Sequence, residues 1–173
     1  GSVPLRRGEG AADVHASLFR IGPDEFGLQL TPVAEAVAAG DRARELCEKP
    51  VWIRGIDHRV ESQALGSRDL TTSASTRLAA EKAGLGDPGS IDLAELHAPF
   101  SHQELILTEA LGLDETRTRI NPSGGALASN PVMAAGLIRV GEAAARLQPG
   151  QRGVAHATSG PCLQQNLVCV LEA

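Results

Sequence analysis

Aromatic side chains are almost missing from this chain: Phe19, Phe26, Trp52 and Phe100 are the whole set, and tyrosine is absent. A surface that stacks successive bases of a single-stranded nucleic acid has nothing to be built from. Cations do not make up for it. Lys and Arg number 16 against 21 Asp and Glu, a net charge of -5, which excludes a nucleic-acid or anionic-membrane partner held by bulk charge. No apolar run approaches the roughly 20 residues that span a bilayer. The N-terminus lacks the basic and apolar regions of a secretory signal, so a soluble, cytoplasmic protein is expected. Cysteine is scarce as well. Cys47, Cys162 and Cys169 form an odd, scattered set without a C-x-x-C pair, which reads as reduced thiols rather than a disulfide framework or a structural zinc site. Asn121 is followed by Pro122, so it is no glycosylation acceptor.

What is present is apolar residues at 42% of 173 positions, enough for one well-buried domain. Residues 1–32 stand apart: Gly1-Ser2 reads as a tag remnant, and Arg6 to Gly10 is polar with no apolar period. This stretch is expected to be a flexible lead-in or partner-binding segment, with the domain proper over residues 33–173. Gly8-x-Gly10 has no strand before it and Asp13 where a dinucleotide fingerprint needs its third glycine.

From Val33 to Cys47 the spacing of Val33, Val37, Ala43 and Leu46 predicts helix, broken near Gly40-Asp41, where Asp41 can cap a second segment. Val51 to Ile56 reads as a buried strand. Asp69 to Gly84 follows as a helix with Leu70, Ala74 and Leu78 on one stripe and Gly84 as its stop. Ile91 to Leu96 alternates as a strand. Ser101 with Glu104 has the form of a capping box for a helix from about His102 to Ala110, ending near Gly112. Asn130 and Pro131 suit the N-cap and first turn of a long helix whose Met133, Leu137, Val140, Ala144 and Leu147 share a face. Gly153 to Thr158 and Asn166 to Leu171 are the last strands, antiparallel because their connection is too short for a crossover. The order predicts an α/β domain, a mixed sheet covered by helices.

In such a sheet ligands gather at the carboxyl ends of strands, which nominates His97 to Phe100, Gly124 to Asn130 and His156 to Cys162. Gly124-Gly125 lets backbone approach a ligand, and the helix beginning at Asn130-Pro131 offers free amide donors to an oxyanion. The alternative is a tight loop that merely positions a helix. His97 can donate to a carbonyl or relay a proton, or serve as a hydrogen-bonded structural residue. Cys162, in a Gly-Pro turn, is a candidate nucleophile or proton donor, whereas Cys169 in a strand reads as packed and inert. His97, His102 and His156 match no common metal-ligand spacing, so no metal is expected.

The ordered set Ala94-Glu95-Leu96-His97-Ala98-Pro99-Phe100, Ile120-Asn121-Pro122-Ser123-Gly124-Gly125 and Gln165 to Glu172 strongly resembles the C-terminal domain of the thiolases. The flavour is similar to the sterol-carrier and lipid-transfer-protein thiolases of bacterial acyl-CoA and steroid side-chain degradation. The resemblance covers about Val33 to Ala173 and implies a half (βαβαβαββ) of a duplicated architecture. It also implies that a partner chain, a thiolase N-terminal half or full thiolase-like chain, carries the nucleophilic cysteine. His97 matches the histidine that helps hold the thioester oxygen. The family's activating Gly-His-Pro appears as Ser129-Asn130-Pro131, and asparagine is no general base. The glycine-rich cysteine loop appears as Thr158 to Gln165, where counting back puts Gly160 rather than Cys162 at the cysteine.

The expected site is therefore His97, His156 and Cys162 for catalysis, with Asn121, Ser123, Gly124, Gly125 and Asn130 for the oxyanion and substrate. No cofactor is implied beyond the coenzyme A thioester as substrate. Lipid-transfer relatives that cleave acyl-CoA by retro-aldol chemistry use tyrosines, absent here, and work beside a small partner with an oligonucleotide-binding-like fold. The function expected is a C-terminal-half subunit in an oligomeric acyl-CoA enzyme, thiolytic or retro-aldol. A non-catalytic scaffold binding acyl-CoA or a partner, and a lipid-carrying module, are the alternatives.

Overall fold

The computed structural model describes residues 47–173 throughout; before them it describes Ala43 and the backbone of four strands. The chain divides into two compact units, Gly1–Pro50 and Val51–Ala173.

In the first unit β1 (Val3–Leu5), β2 (Val14–Arg20), β3 (Phe26–Thr31) and β4 (Glu35–Ala36) form an antiparallel sheet in sequence order. Val14, Ala16 and Leu18 alternate with His15 and Ser17 along the sequence of β2, the period-two pattern of a half-buried strand. The lead-in expected over residues 1–32 thus contains three of these strands. Of the helix expected from Val33 to Cys47, Glu35–Ala36 is strand, Ala43 is helical, and Gly40, Asp41 and Leu46 lie outside the described residues.

The second unit follows the expected order. Its elements are β5 (Trp52–Val60), α1 (Ala74–Lys82), β6 (Leu93–Glu95), α2 (Ser101–Leu111), β7 (Arg119–Ile120), the single turn α3 (Gly125–Ala128), α4 (Ala135–Arg146), β8 (Arg152–Ser159) and β9 (Gln165–Glu172). The five strands lie in the order β5-β9-β8-β6-β7, with β6 parallel to β7 and β8, and β9 antiparallel to β8 and β5. Parallel strands need covered faces, and alternation along β8 and β9 serves both. Val154, Val168 and Val170 pack with Ala79, Ala80, Ala83, Leu107 and Leu111 beneath α1 and α2. Ala155, Cys169 and Leu171 join Leu93, Ala143 and Leu147 beneath α4.

Several local expectations are corrected. Asp69 accepts from the Thr71 N–H and hydroxyl in a turn of its own, so α1 starts later, at Ala74. Leu70 and Leu78 are exposed, and the buried stripe of α1 is Ser75, Thr76, Ala79 and Ala80. Ser101 does not cap α2, whose N-cap is Phe100 with no side-chain cap bond; Glu104 is drawn away by the Asn121 amide. Gly112, at φ 66, closes α2 in the left-handed region as expected. The connection after Pro131 delays α4 to Ala135, so its face is rotated. Met133 is 98% exposed and Leu137 is exposed, while Ala135, Arg139 and Ala143 are buried.

With so few aromatics, the helices come close to the sheet. A Cβ on Gly55 would lie 2.0 Å from the Ala83 carbonyl oxygen, whereas one on Gly66 would meet nothing within 4 Å. Gly55→Ala is therefore expected to lower stability by about 1–3 kcal/mol, with Gly66→Ala nearly neutral, in urea unfolding of the two variants. Equal effects would contradict the close approach of α1 to β5.

Candidate functional site

Because β6, β7 and β8 run parallel, the loops that follow them emerge at one end of the sheet. His97 follows β6, Asn121 to Gly125 follow β7, and Gly160 to Gln164 follow β8.

Two of the nominated residues touch directly. His97, 5% exposed, accepts the Thr158 backbone N–H at Nδ1 over 3.2 Å, and its Nε2 lies 3.0 Å from Asn130 Oδ1. An amide N–H only donates, so Nδ1 bears the lone pair and Nε2 the proton. Burial first, and the nearby Arg139 charge, lower the pKa of this ring against the pull of the Asn130 bond. Thr158 also occupies the lone pair that a second proton would need. Neither ring nitrogen is left over to act as a base.

His156 is also neutral, in a deeper setting. Its Nε2 lies 2.9 Å from Asn166 Oδ1. The Asn166 amide donates to Leu163 O and Ser75 Oγ, each at 2.7 Å, which fixes its orientation and puts the His156 proton on Nε2. Nδ1 has no hydrogen-bond partner among the described residues. Burial pulls the pKa down to about 4, with the neighbouring His97 adding to the shift.

Cys162 is exposed and sits in a turn where Gly160 (φ 74), Cys162 (φ 51) and Leu163 (φ 57) are all left-handed. Consecutive non-glycine residues in this region cost about 1–3 kcal/mol each and persist only where the surroundings hold them. Arg68 does so, donating to Pro161 O at 2.7 Å and Cys162 O at 2.9 Å. Asn166 takes Leu163 O, and Glu61, the salt-bridge partner of Arg68, accepts from Ser75 N–H and hydroxyl. One polar network, exposed at the Cys162 turn and buried at Asn166, therefore joins that turn to His156.

The loop after β7 is turned inward. Asn121, itself left-handed at φ 46, accepts the Leu96 N–H at 2.6 Å and donates to Glu104; it extends the seam between β6 and β7. Ser123 donates its N–H and hydroxyl to the Glu95 carboxylate at 3.0 and 2.7 Å. Its Oγ accepts from Gly125 N–H and from Arg139. Arg139 also donates to Glu95 at 3.1 Å, the two side chains being 2% and 0% exposed. Gly124 and Gly125, at φ 91 and 61, make the turn around this network: a Cβ on Gly125 would lie 2.9 Å from Asn121. Asn130 is not an N-cap, since its side chain is used on His97 and α4 begins at Ala135.

Glu95, Arg139, Arg68 and Asn166 went unnominated. For Glu95 the signal was legible, since a lone charge inside the apolar run Leu93 to Leu96 must be paired when it folds inside; Arg139 lay off the apolar face read from the sequence, and no comparable signal marked Arg68 or Asn166. Among the described residues no group of three or more His, Cys, Asp or Glu could hold a metal ion, and no helix is long and apolar enough to cross a membrane. Cys169 is buried and its thiol is pushed up to about 11 by burial. A cleft of about 190 Å³ between α1 and α2 is lined by Thr72, Ser73, Arg77, Ile106 and Glu109, none of them a nominated residue.

A helix–sheet–helix unit of this topology, with a histidine and the Asn-Pro-Ser-Gly-Gly loop at the carboxyl ends of its parallel strands, is a thiolase-type half. No family model matches the chain. It is 31% identical to an acetyl-CoA acetyltransferase of Methanothermobacter thermautotrophicus over 77% of its own length and 42% of that protein's. Among solved structures it is similar to a monomeric SCP2-thiolase-like protein type 1 of Mycobacterium smegmatis, with TM-score 0.55, 20% identity, and coverage of 70% of this chain and 29% of that one. It is also similar to the peroxisomal 3-ketoacyl-CoA thiolase of Saccharomyces cerevisiae, with TM-score 0.56, 21% identity, and coverage of 75% and 36%. The chain has a thiolase-like fold, and it spans less than half the length of each of these relatives.

Protonation of His156 is disfavoured in the folded state, since its pKa falls from the ordinary 6.5 to about 4. Its contribution, about 3 kcal/mol at most, is fully present above pH 6.5 and is lost as pH falls toward 4. Urea midpoints are expected to drop from pH 7 to pH 5, with a shallower drop in His156→Gln. Parallel profiles would contradict the buried neutral imidazole.

Proposed function

We propose that this chain is the C-terminal-half subunit of a thiolase-like acyl-CoA enzyme, completed by a partner chain that carries the nucleophilic cysteine. The substrate class is a coenzyme A thioester, the reaction cleavage or formation of a carbon–carbon bond, thiolytic or retro-aldol, in the cytoplasm. Fatty acyl and steroid side-chain thioesters are the substrates in view.

The observation that carries this reading is the uncovered part of the α4 face. Ile53 pairs with Leu171 and Ile56 with Cys169, so both lie on the sheet face that α4 covers over β8 and β9. Over β5 that cover ends: Ile53, Ile56 and Val60 are 45%, 55% and 57% exposed, and Leu137 on α4 is exposed too. An apolar area of this kind, flanking a helix, is where another folded unit packs. The yeast thiolase is described as a five-layered α-β-α-β-α structure built from two core domains of identical topology. The Val51–Ala173 unit supplies three layers, α1 and α2, the sheet, and α4; a second such domain adds the other two and buries this face. The site also needs that domain. Neither His97 nor Asn130 is a nucleophile, and Cys162 sits in a turn whose backbone is held by Arg68.

A second reading, a subunit that binds acyl-CoA without turnover, is favoured by Asn130 at the position of the family's activating histidine and by a His97 ring with both nitrogens engaged. The two readings separate in one experiment. The tagged chain is purified from its own cells, its native mass measured, and co-purifying chains sequenced and assayed with acyl-CoA. The expected result is a stoichiometric thiolase-type partner bearing the nucleophile half, released by Ile56→Asp, with carbon–carbon bond turnover in the complex. A complex that binds acyl-CoA without turnover selects the second reading, and a self-dimer with no such partner contradicts the split enzyme.

A further inference from the structure

We propose that Asn130, not His97, meets the acyl carbonyl: its Nδ2 group donates to the thioester oxygen, and His97 is a positioning residue that holds the amide in that orientation. For its ligand this inference rests on the reading above; its geometry stands on the chain alone.

The hydrogen bonds permit one arrangement. The Thr158 N–H can only donate, so His97 Nδ1 accepts and Nε2 carries the ring proton. That proton needs an acceptor, and the Asn130 atom facing it is Oδ1, at 3.0 Å. With Oδ1 fixed, Nδ2 is directed away from the ring, and among the described residues no acceptor takes it. His97 is buried, whereas Asn130 is exposed. The pair is thus a buried anchor and an exposed donor, at the end of the sheet where the loops after β6, β7 and β8 converge.

This division decides what the pair can do. His97 cannot turn its Nε2–H toward a substrate without leaving Asn130 Oδ1 unpartnered, and cannot take a proton at Nδ1 without expelling the Thr158 N–H. The groups around it reinforce neutrality. Arg139 acts on it from α4, opposing a positive charge on the ring, and His156 on β8 is itself neutral. Glu95, the carboxylate of the same strand end, is committed to Ser123 and Arg139. A fixed neutral donor suits a carbonyl oxygen, which is neutral in the bound thioester and gains negative charge when a bond to the α-carbon forms or breaks.

The test uses the chain and its assembled complex, with acetyl-CoA and free coenzyme A as probes. Nitrogen-15 spectra of the free chain are expected to show His97 neutral with its proton on Nε2. Acetyl-CoA is expected to move the Asn130 side-chain amide signals and leave the His97 ring pattern in place, while free coenzyme A leaves both. Asn130→Asp keeps an acceptor for His97 but presents no donor, and is expected to weaken acetyl-CoA binding about tenfold with free coenzyme A unaffected. His97→Ala should lose about as much, and His97→Gln, which can still donate to Oδ1, should recover most of it. A proton on Nδ1, or acetyl-CoA affinity unchanged in Asn130→Asp, overturns the assignment while leaving the enzyme reading intact. Failure of both chain and complex to bind acetyl-CoA overturns that reading and this role together, with the ring spectra still reporting the pair.

Discussion

The carboxylate of Glu95 is the point on which the candidate site depends. It is fully buried at the end of β6, where an unpaired charge would cost several kcal/mol, and its oxygens are met by the Ser123 N–H, the Ser123 hydroxyl and the Arg139 guanidinium. Those three groups come from the loop after β7 and from the middle of α4. One ion therefore ties a strand, a loop and a helix together at the end of the sheet where His97 leaves β6. Asn121 adds to the tie by taking the Leu96 N–H. With both sides of His97 fixed, the segment between α3 and α4 delivers Asn130 to its ring. Buried ion pairs of this kind are seldom a net source of stability compared with apolar packing. Here the pair serves geometry.

The scarcity of aromatic residues shapes the rest. Without large rings to fill space between layers, the interior is built from alanine, valine and leucine, and the layers close up. Gly136 lets α4 approach until a Cβ there would lie 2.5 Å from that of Ala157, and Ala79, Ala94, Ala143 and Ala155 sit fully buried between helix and sheet. Close packing recovers in dispersion what bulk would otherwise supply. It also leaves little margin: such a core covers what α4 lies upon and no more, so the face of β5 carrying Ile53, Ile56 and Val60 stays open.

How much of this was legible in the sequence differs by level. The alternation of strands and helices in Val51 to Ala173 could be read from apolar period and turn residues, because Gly84, Gly112 and the Pro149-Gly150 pair punctuate it. Which face each helix buries could not. In α1 Leu78 points outward, whereas Ser75, Thr76, Ala79 and Ala80 are buried. Around the site, proximity in the sequence misled. Glu104 has the spacing of a capping box yet bonds Asn121, and Asn130 has the position of an N-cap yet bonds His97. Local partners lost to tertiary ones, as happens where polar side chains are buried near a site. The antiparallel sheet of the first unit was missed for another reason: β1 and β4 are only three and two residues long, and the alternation along β2 is set among polar, glycine-containing stretches that read as lead-in.

The central claim is that the Glu95–Arg139 pair builds the site rather than the fold. The measurement that tests it most directly is a crystal structure of the double variant Glu95→Gln, Arg139→Met, which keeps volume and removes both charges together, so that no lone buried ion is left to unfold the chain. The account predicts an intact sheet with α1, α2 and α4 in place, a displaced loop from Asn121 to Gly125, and no bond between His97 and Asn130. A structure in which His97 Nε2 still lies about 3 Å from Asn130 Oδ1, with the loop unmoved, would contradict it.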